Sequence, residues 1–404
     1  MMQRLAIAGG TPVFSGDRPM TSYVPTWPIP YPETETKLIA AYRSGVWGFH
    51  GPYVHKLSTE FAAAQGAEYS VWMSNGTTTL ECSLLALGVG PGDEVIVPGV
   101  TWIATATAPL YCGATPVLVD IDPETLCIDP AKIEEAITSR TKAIIPVHLF
   151  SAMADMDKIM AIARKHHLFV VEDCAHAHGG AQHGRGAGSI GNTGSFSFQL
   201  SKLMTAGEGG CVTTNDEELY DRIFRLSHIG NSPLHPGTKT DPSLLCHQYR
   251  ITEFQAVIIY DQLQHLRELS ARRKAGAERL NGLLRDIPGI RMQRSSYPDD
   301  VRAYYFPTLL LDPAGLKPGI DRETVMAALN AEGLSFNIGW GFPLYKTVAW
   351  NIPENRYVRK NTPVCEEVML KQLLVFGHVQ LLAAPEVIER IAEAIRKVMN
   401  AYTR

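Results

Sequence analysis

The chain predicts an α/β protein: a doubly wound, mainly parallel sheet in a large domain, then a smaller C-terminal α+β domain. Three observations carry that expectation. Four short runs are continuously apolar, as strands buried on both faces are: Glu94 to Pro98, Thr115 to Val119, Ala143 to Val147 and Leu168 to Val171. Helix candidates lie around and between them, at Thr78 to Leu87, Trp102 to Cys112, Pro130 to Ile137 and Ala154 to His166, and such alternation marks strand–helix–strand units. A long helix candidate opens on Thr252, where Gln255 completes a capping box, and runs to about Leu284.

In chain order, residues 1–33 are rich in proline and glycine and predict an irregular arm laid over the surface or a neighbouring subunit. Residues 34–265 are expected to form the large domain and 266–404 the small one. After Gly191 the pattern turns to hairpin-joined strands, Gly194 to Gln199 and Cys211 to Thr214. Beyond the long helix, Ala303 to Leu311 reads as a strand, with helices at Asp321 to Glu332 and Pro385 to Ala401.

Composition narrows the function. Lys and Arg number 37 against 41 Asp and Glu, a net charge of -4, so the chain has no overall attraction to nucleic acid. No stretch is apolar for long enough to span a membrane. The N-terminus lacks the apolar core of a signal peptide. Seven cysteines, an odd number with no C-x-x-C pair, read as buried free thiols in a reducing compartment. A cytoplasmic enzyme-sized globule is the expectation.

Three features then converge on chemistry. Glu172-Asp173 closes an apolar strand at its carboxyl end, where ligands of open α/β sheets bind. A carboxylate there favours a cationic partner, although it would equally serve as a helix cap. Lys202 comes after the strand Gly194 to Gln199, among Leu200, Leu203 and Met204, and a glycine-rich run, Gly207-Glu208-Gly209-Gly210, lies beyond it. A lysine held among apolar residues can present the neutral amine that Schiff-base chemistry needs; an exposed loop lysine is the plainer alternative. Ser74-Asn75-Gly76-Thr77-Thr78-Thr79 precedes a helix, so its amides and hydroxyls suit a phosphate, or simply cap the helix. Trp102 adds a flat ring for stacking, or a core aromatic. A phosphate cradle, a stacking ring, a strand-end carboxylate and an enclosed lysine together match the needs of pyridoxal 5'-phosphate.

Four segments carry a family resemblance: Ser74 to Leu80 (SNGTTTL), Val170 to Gly179 (VVEDCAHAHG), Phe196 to Gly210 (FSFQLSKLMTAGEGG) and Tyr249 to Ala256 (YRITEFQA). They resemble, in order, the DegT/DnrJ/EryC1/StrS family of sugar aminotransferases, pyridoxal-phosphate enzymes of fold type I. The resemblance implies that Lys202 forms the Schiff base and shuttles the proton, and that Asp173 holds the pyridine nitrogen. It implies that Gly76, Thr77 and Ser197 hold the phosphate, that Trp102 stacks on the ring, and that His176 lies near the cofactor's 3-hydroxyl, where many members have glutamine. The family often has an asparagine that reaches the partner subunit's phosphate; here Gln248 stands in that position, and Asn231 is a second candidate for a cross-subunit contact.

The opening LAIAGGTPVF, the run Pro343 to Lys346 and the segment around His378 look closest to one branch. It holds the scyllo-inosose and 2-deoxy-scyllo-inosose aminotransferases and the aminohydroxybenzoate synthases of antibiotic pathways. The resemblance thus implies a homodimeric aminotransferase taking nitrogen from L-glutamine or L-glutamate to a cyclic polyhydroxy ketone, with no metal. Tyr304, Tyr345 and His378 are candidates to meet the polyol. A nucleotide-keto-sugar aminotransferase and an aminating dehydratase are the alternatives within the family.

Outside the family, His176, His178 and His183 beside Asp173 raise a metal hydrolase as a remote alternative, although they sit in a glycine-rich loop. Gly186 to Gly191 spells G-x-G-x-x-G, but it opens a strand rather than a helix and so fails as a dinucleotide motif. A binding protein that kept the fold and lost the chemistry is disfavoured by Lys202, which family dehydratases replace with histidine.

Overall fold

The computed structural model describes residues 4–15, 19–238 and 244–404. The rest of the predicted arm, residues 1–3 and 16–18, lies outside the described residues. In chain order the elements are α1 (Pro32–Ser44), α2 (Pro52–Ala64), β1 (Tyr69–Met73), α3 (Gly76–Ala86), β2 (Glu94–Pro98), α4 (Ile103–Tyr111), β3 (Thr115–Val119), α5 (Pro130–Ala136) and β4 (Thr141–Ile144). Next come α6 (Met156–His166), β5 (Phe169–Asp173), a short hairpin β6 (Ala181–Gln182) and β7 (Arg185–Gly186), β8 (Thr193–Ser197), β9 (Gly210–Thr214) and α7 (Glu217–Ser227). The C-terminal third holds α8 (Glu253–Leu284), β10 (Ile290–Met292), β11 (Thr308–Leu311), α9 (Arg322–Ala331), β12 (Val358–Arg359), α10 (Pro363–Glu367), β13 (Leu373–Val375) and α11 (Pro385–Tyr402).

The large sheet runs β1-β9-β8-β5-β4-β2-β3-β12. From β8 through β12 every neighbouring pair is parallel, and β9 alone pairs antiparallel on both sides. This is the doubly wound sheet that the apolar runs predicted. Val95, Ile96 and Val97 of β2 are fully buried, as are Val170 and Val171 of β5, because helices cover both faces. The order places β5 in the middle of the sheet, so the end of β5 opens at the sheet's centre.

The capping box at Thr252 is present: its hydroxyl accepts from Gln255 N, and the Gln255 side chain accepts from Thr252 N. From there α8 connects two cores. Ala256, Ile259 and Leu266 pack with β9 and α2, whereas Ala277, Leu280 and Leu284 pack with α11 and the antiparallel sheet β10-β11-β13. Ala303 to Pro307 is irregular, and the predicted strand begins only at Thr308. One strand of the C-terminal part, β12, returns to the edge of the large sheet beside β3. The arm lies on the C-terminal core: Leu5 and Phe14 are buried there, and the Glu332 carboxylate accepts from Ala6 N and Val13 N while pairing with Lys397.

Candidate active site

A cavity of about 830 Å³ opens at the carboxyl ends of the parallel strands. Asp173, the last residue of β5, lies in its wall and is 6% exposed. Register with β8 sets it beside Ser195, and its main chain is clamped by Pro146 O and His148 N. Its Oδ2 accepts from Thr105 Oγ at 2.8 Å and its Oδ1 from Ala175 N at 3.2 Å. Burial pushes the carboxyl above its ordinary value; those two hydrogen bonds and the charge of Lys202 pull the other way. A cation bound at this carboxylate is what would keep it ionised.

Glu172 points to the opposite face of the strand and has a structural task. Its Oε1 accepts from Ile190 N and Gly191 N at 2.8 and 2.7 Å, and its Oε2 from Gly188 N at 3.0 Å, with His148 Nε2 also at 3.0 Å. The G-x-G-x-x-G run therefore cradles the protein's own carboxylate instead of a ligand phosphate. Gly188 has φ +81°, and a Cβ there would stand 2.7 Å from Phe196, so the nest requires glycine.

Lys202 sits in the loop between β8 and β9 and lines the cavity. Its Nζ lies 4.6 Å over the Tyr305 ring. Among the described residues it makes no ion pair, and burial pulls its amine down to about 8, against an opposing pull from Asp173. Tyr305 also stacks on His176, with ring centroids 4.2 Å apart. His176 Nδ1 accepts from Phe150 N at 3.3 Å, which leaves Nε2 as the proton-bearing nitrogen. Burial first, then the charge of Lys202, hold His176 well below its usual value, so it is a neutral donor.

The floor of the cavity is the start of α3. Asn75 Oδ1 accepts from Thr77 N and Thr78 N, both at 3.0 Å, so the helix cap is real. Gly76 stands against β8, where a Cβ would lie 2.7 Å from Ser197 Cβ. Thr79 Oγ and Ser195 Oγ, 2.7 Å apart, tie α3 to β8 at this point. Gly76, Thr77 and Ser197 all line the cavity, as does Trp102, which is 56% exposed at the N-cap of α4. Sequence reasoning missed Thr105, which braces Asp173, and Tyr305 and Trp340 in the cavity wall. Nothing in the residue pattern marks them except, for Tyr305, its place in the Ala303-Tyr304-Tyr305-Phe306 run.

The structure does not bring every expected residue here. Tyr304 has φ +56° and turns away to pack on the C-terminal core, with Arg302 4.8 Å from its ring; its neighbour Tyr305 takes the cavity side. The Tyr345 hydroxyl bonds to Thr362 and Glu366, outside the cavity lining. His378 is buried edge-on to Trp27 at 4.5 Å, also outside the lining. Gln248 accepts from Arg250 and lines a separate shallow hollow with Phe49 and His50, and Asn231 is exposed on a turn. The histidine tract disperses: His176 faces the cavity, His178 is buried among Phe196 and Phe198, and His183 pairs with Asp299 on the β6–β7 turn. That scatter removes the basis for the hydrolase alternative.

The model of the DegT/DnrJ/EryC1/StrS aminotransferase family matches residues 31–396. The chain belongs to that family. It is 39% identical to an L-glutamine:2-deoxy-scyllo-inosose aminotransferase of Streptoalloteichus tenebrarius, over 100% of this chain and 99% of the relative. It is 36% identical to a putative L-glutamine:3-amino-2,3-dideoxy-scyllo-inosose aminotransferase of Micromonospora echinospora, over 99% and 98%. Among solved structures, 3-amino-5-hydroxybenzoic acid synthase has a TM-score of 0.81 at 31% identity, covering 94% of this chain and 99% of that one. An aminotransferase from Psychrobacter cryohalolentis has a TM-score of 0.86 at 32%, with the same coverage.

This aminotransferase is therefore a pyridoxal-phosphate enzyme of fold type I. The donor set fits that cofactor. A buried carboxylate and an enclosed amine, neither in an ion pair among the described residues, share one cavity with a helix start that excludes a Cβ and an uncovered indole. Each is a group of the kind that one part of the cofactor requires.

Proposed function

We propose that this enzyme moves the amino group of L-glutamine onto a cyclic polyhydroxy ketone of the scyllo-inosose type. The observation that carries the reading is full-length likeness, at 36–39% identity, to relatives named for that reaction. The cavity lining supports it. Hydroxyl and amide groups of Thr78, Thr101, Gln199 and Ser201 suit a polyol, and Lys202 is the one Lys or Arg among the described lining residues. Within one protomer the described lining thus brings no second cation for a nucleotide's diphosphate.

Pyridoxal phosphate, when bound, supplies an amine-reactive aldehyde and an electron-withdrawing ring. In this reading Asp173 binds the protonated ring nitrogen, with Thr105 and Ala175 N fixing its carboxylate. Gly76, Thr77 and Ser197 hold the phosphate at the N-terminus of α3. Trp102 covers the ring, and His176 donates from Nε2 to the ring hydroxyl. Lys202 Nζ takes the proton from the donor's α-carbon and returns it; an amine near 8 is suited to both directions at neutral pH. Tyr305 shields that amine from water. Two copies form a homodimer in which Gln248 or Asn231 of one protomer reaches the other's phosphate. The seven free thiols, six of them buried, suit a reducing cytoplasm.

The test is to charge the holoenzyme with L-glutamine, remove the glutamine, and add scyllo-inosose, 2-deoxy-scyllo-inosose or a nucleotide keto-sugar. An aminocyclitol found by mass spectrometry is expected. Turnover of the nucleotide sugar alone would overturn the assignment.

A further inference from the structure

One side-chain cluster outside the cavity is not used by this chemistry. Arg273, midway along α8, is 0% exposed. It forms no ion pair among the described residues, and its Nε, Nη1 and Nη2 have no hydrogen-bond partner. Burying a guanidinium without a counter-charge is costly, so the fold must compensate it. The neighbours add no carboxylate. The Trp27 ring lies 5.7 Å from the guanidinium, and the indole Nε1 is buried and unpartnered. His378 meets that indole edge-on at 4.5 Å, with Nδ1 unpartnered. Ser270 Oγ, one turn back on α8, is in the same condition; Gln380 Oε1, an acceptor, is also unpartnered and so makes no bond to Arg273. The titratable groups whose charge couples to Arg273 are Tyr31, Arg272, His178 and His378, and none of them is an anion at neutral pH. A second copy of the chain cannot reach a side chain that has no surface.

We propose that this cluster is a site for a small monoanion, of halide or formate size, held by Arg273 with Trp27, His378 and Ser270 as further donors. Enclosure sets the size: His378 and Gln380 are 4% and 3% exposed, and the site lies apart from the cavity that holds Lys202. The anion joins three pieces of chain that are distant in sequence, namely the N-terminal arm at Trp27, the middle of α8, and the segment His378–Leu382. The His378 ring stands 6.4 Å from that of Tyr305, which covers the Lys202 amine. A filled site therefore braces the wall behind the catalytic lysine. It also gives a use to the His378 motif, which the sequence singles out and the cavity does not absorb.

Two measurements on the holoenzyme test this. Crystals soaked in sodium bromide are expected to show an anomalous peak within hydrogen-bonding distance of the Arg273 guanidinium. Thermal midpoints are expected to be higher in chloride or bromide than in gluconate at equal ionic strength, because gluconate is too large to enter. Arg273→Lys should raise the halide concentration needed about tenfold, since one point charge replaces a fork of donors. Ser270→Ala, a milder change should the first not fold, should raise it severalfold. Ordered water alone in the site, or equal midpoints in halide and gluconate, would overturn the proposal. So would L-glutamine's carboxylate on Arg273 in a soaked crystal, together with a higher KM for glutamine in Arg273→Lys and no halide effect.

Discussion

Replacing Lys202 by methionine removes the amine while keeping an unbranched side chain of similar length. In the protein free of cofactor the wild-type amine titrates near 8, whereas an ordinary lysine titrates at 10.5. At ~1.4 kcal/mol per pH unit that gap is worth about 3 kcal/mol against folding. Between pH 8 and 10.5 the unfolded chain holds the proton and the folded one does not, so wild-type stability rises across that window and the full cost stands below it. Part of the gain is returned, because Asp173 loses the cation that opposes its burial. Lys202→Met without cofactor should therefore be more stable than wild type by about 1–3 kcal/mol at pH 7. The two should converge by pH 10.5. Urea midpoints measured from neutral to strongly alkaline pH read this directly. A methionine variant that is less stable at neutral pH, or a gap that does not change with pH, would refute the picture of a desolvated amine.

The same geometry carries three more expectations. Asp173→Asn keeps the shape of the side chain and loses its charge, so kcat should fall by roughly 10²–10³, as when one preorganised electrostatic partner is removed; steady-state kinetics check it. Gly76→Ala drives a Cβ into Ser197 and should weaken cofactor binding by about tenfold or more, read by fluorescence titration, and Ser197→Gly in the same chain should recover part of it. Tyr305→Ala should lower kcat/KM by at least tenfold by exposing Lys202, whereas Tyr304→Phe, on the other side of the chain, should leave it within twofold; paired kinetic assays decide between the two positions.

How far the sequence alone reached depended on what its patterns encode. The strands at Glu94, Thr115 and Leu168 were legible because burial on both faces leaves an uninterrupted apolar run. The start of α8 was legible because a capping box is a local signal. The strand Tyr69–Met73 and the helices Pro32–Ser44, Pro52–Ala64 and Glu217–Ser227 were not anticipated; the last is strongly amphipathic, but its neighbours carry no contrasting run. In the site, Lys202, Asp173, Gly76, Thr77, Ser197, His176 and Trp102 lie on segments with recognisable local order, and all line one cavity. Tyr304, Tyr345 and His378 do not, because the side a chain presents in an irregular segment depends on one dihedral. A left-handed residue at Tyr304 sends Tyr305 to the cavity instead, and no periodicity reports that. Thr105 and the Glu172–His148 pair were equally out of reach, since both act through contacts between distant segments.

The proposed mechanism turns on Lys202, opposite Asp173 in the same cavity, and one measurement tests that most directly. Borohydride reduction of the cofactor-loaded protein, followed by proteolysis and peptide mass mapping, fixes the cofactor to whichever lysine carries it. The added mass is expected on the peptide containing Lys202 and on no other. Label on a different lysine, or a cofactor that washes away unreduced, would contradict the assignment.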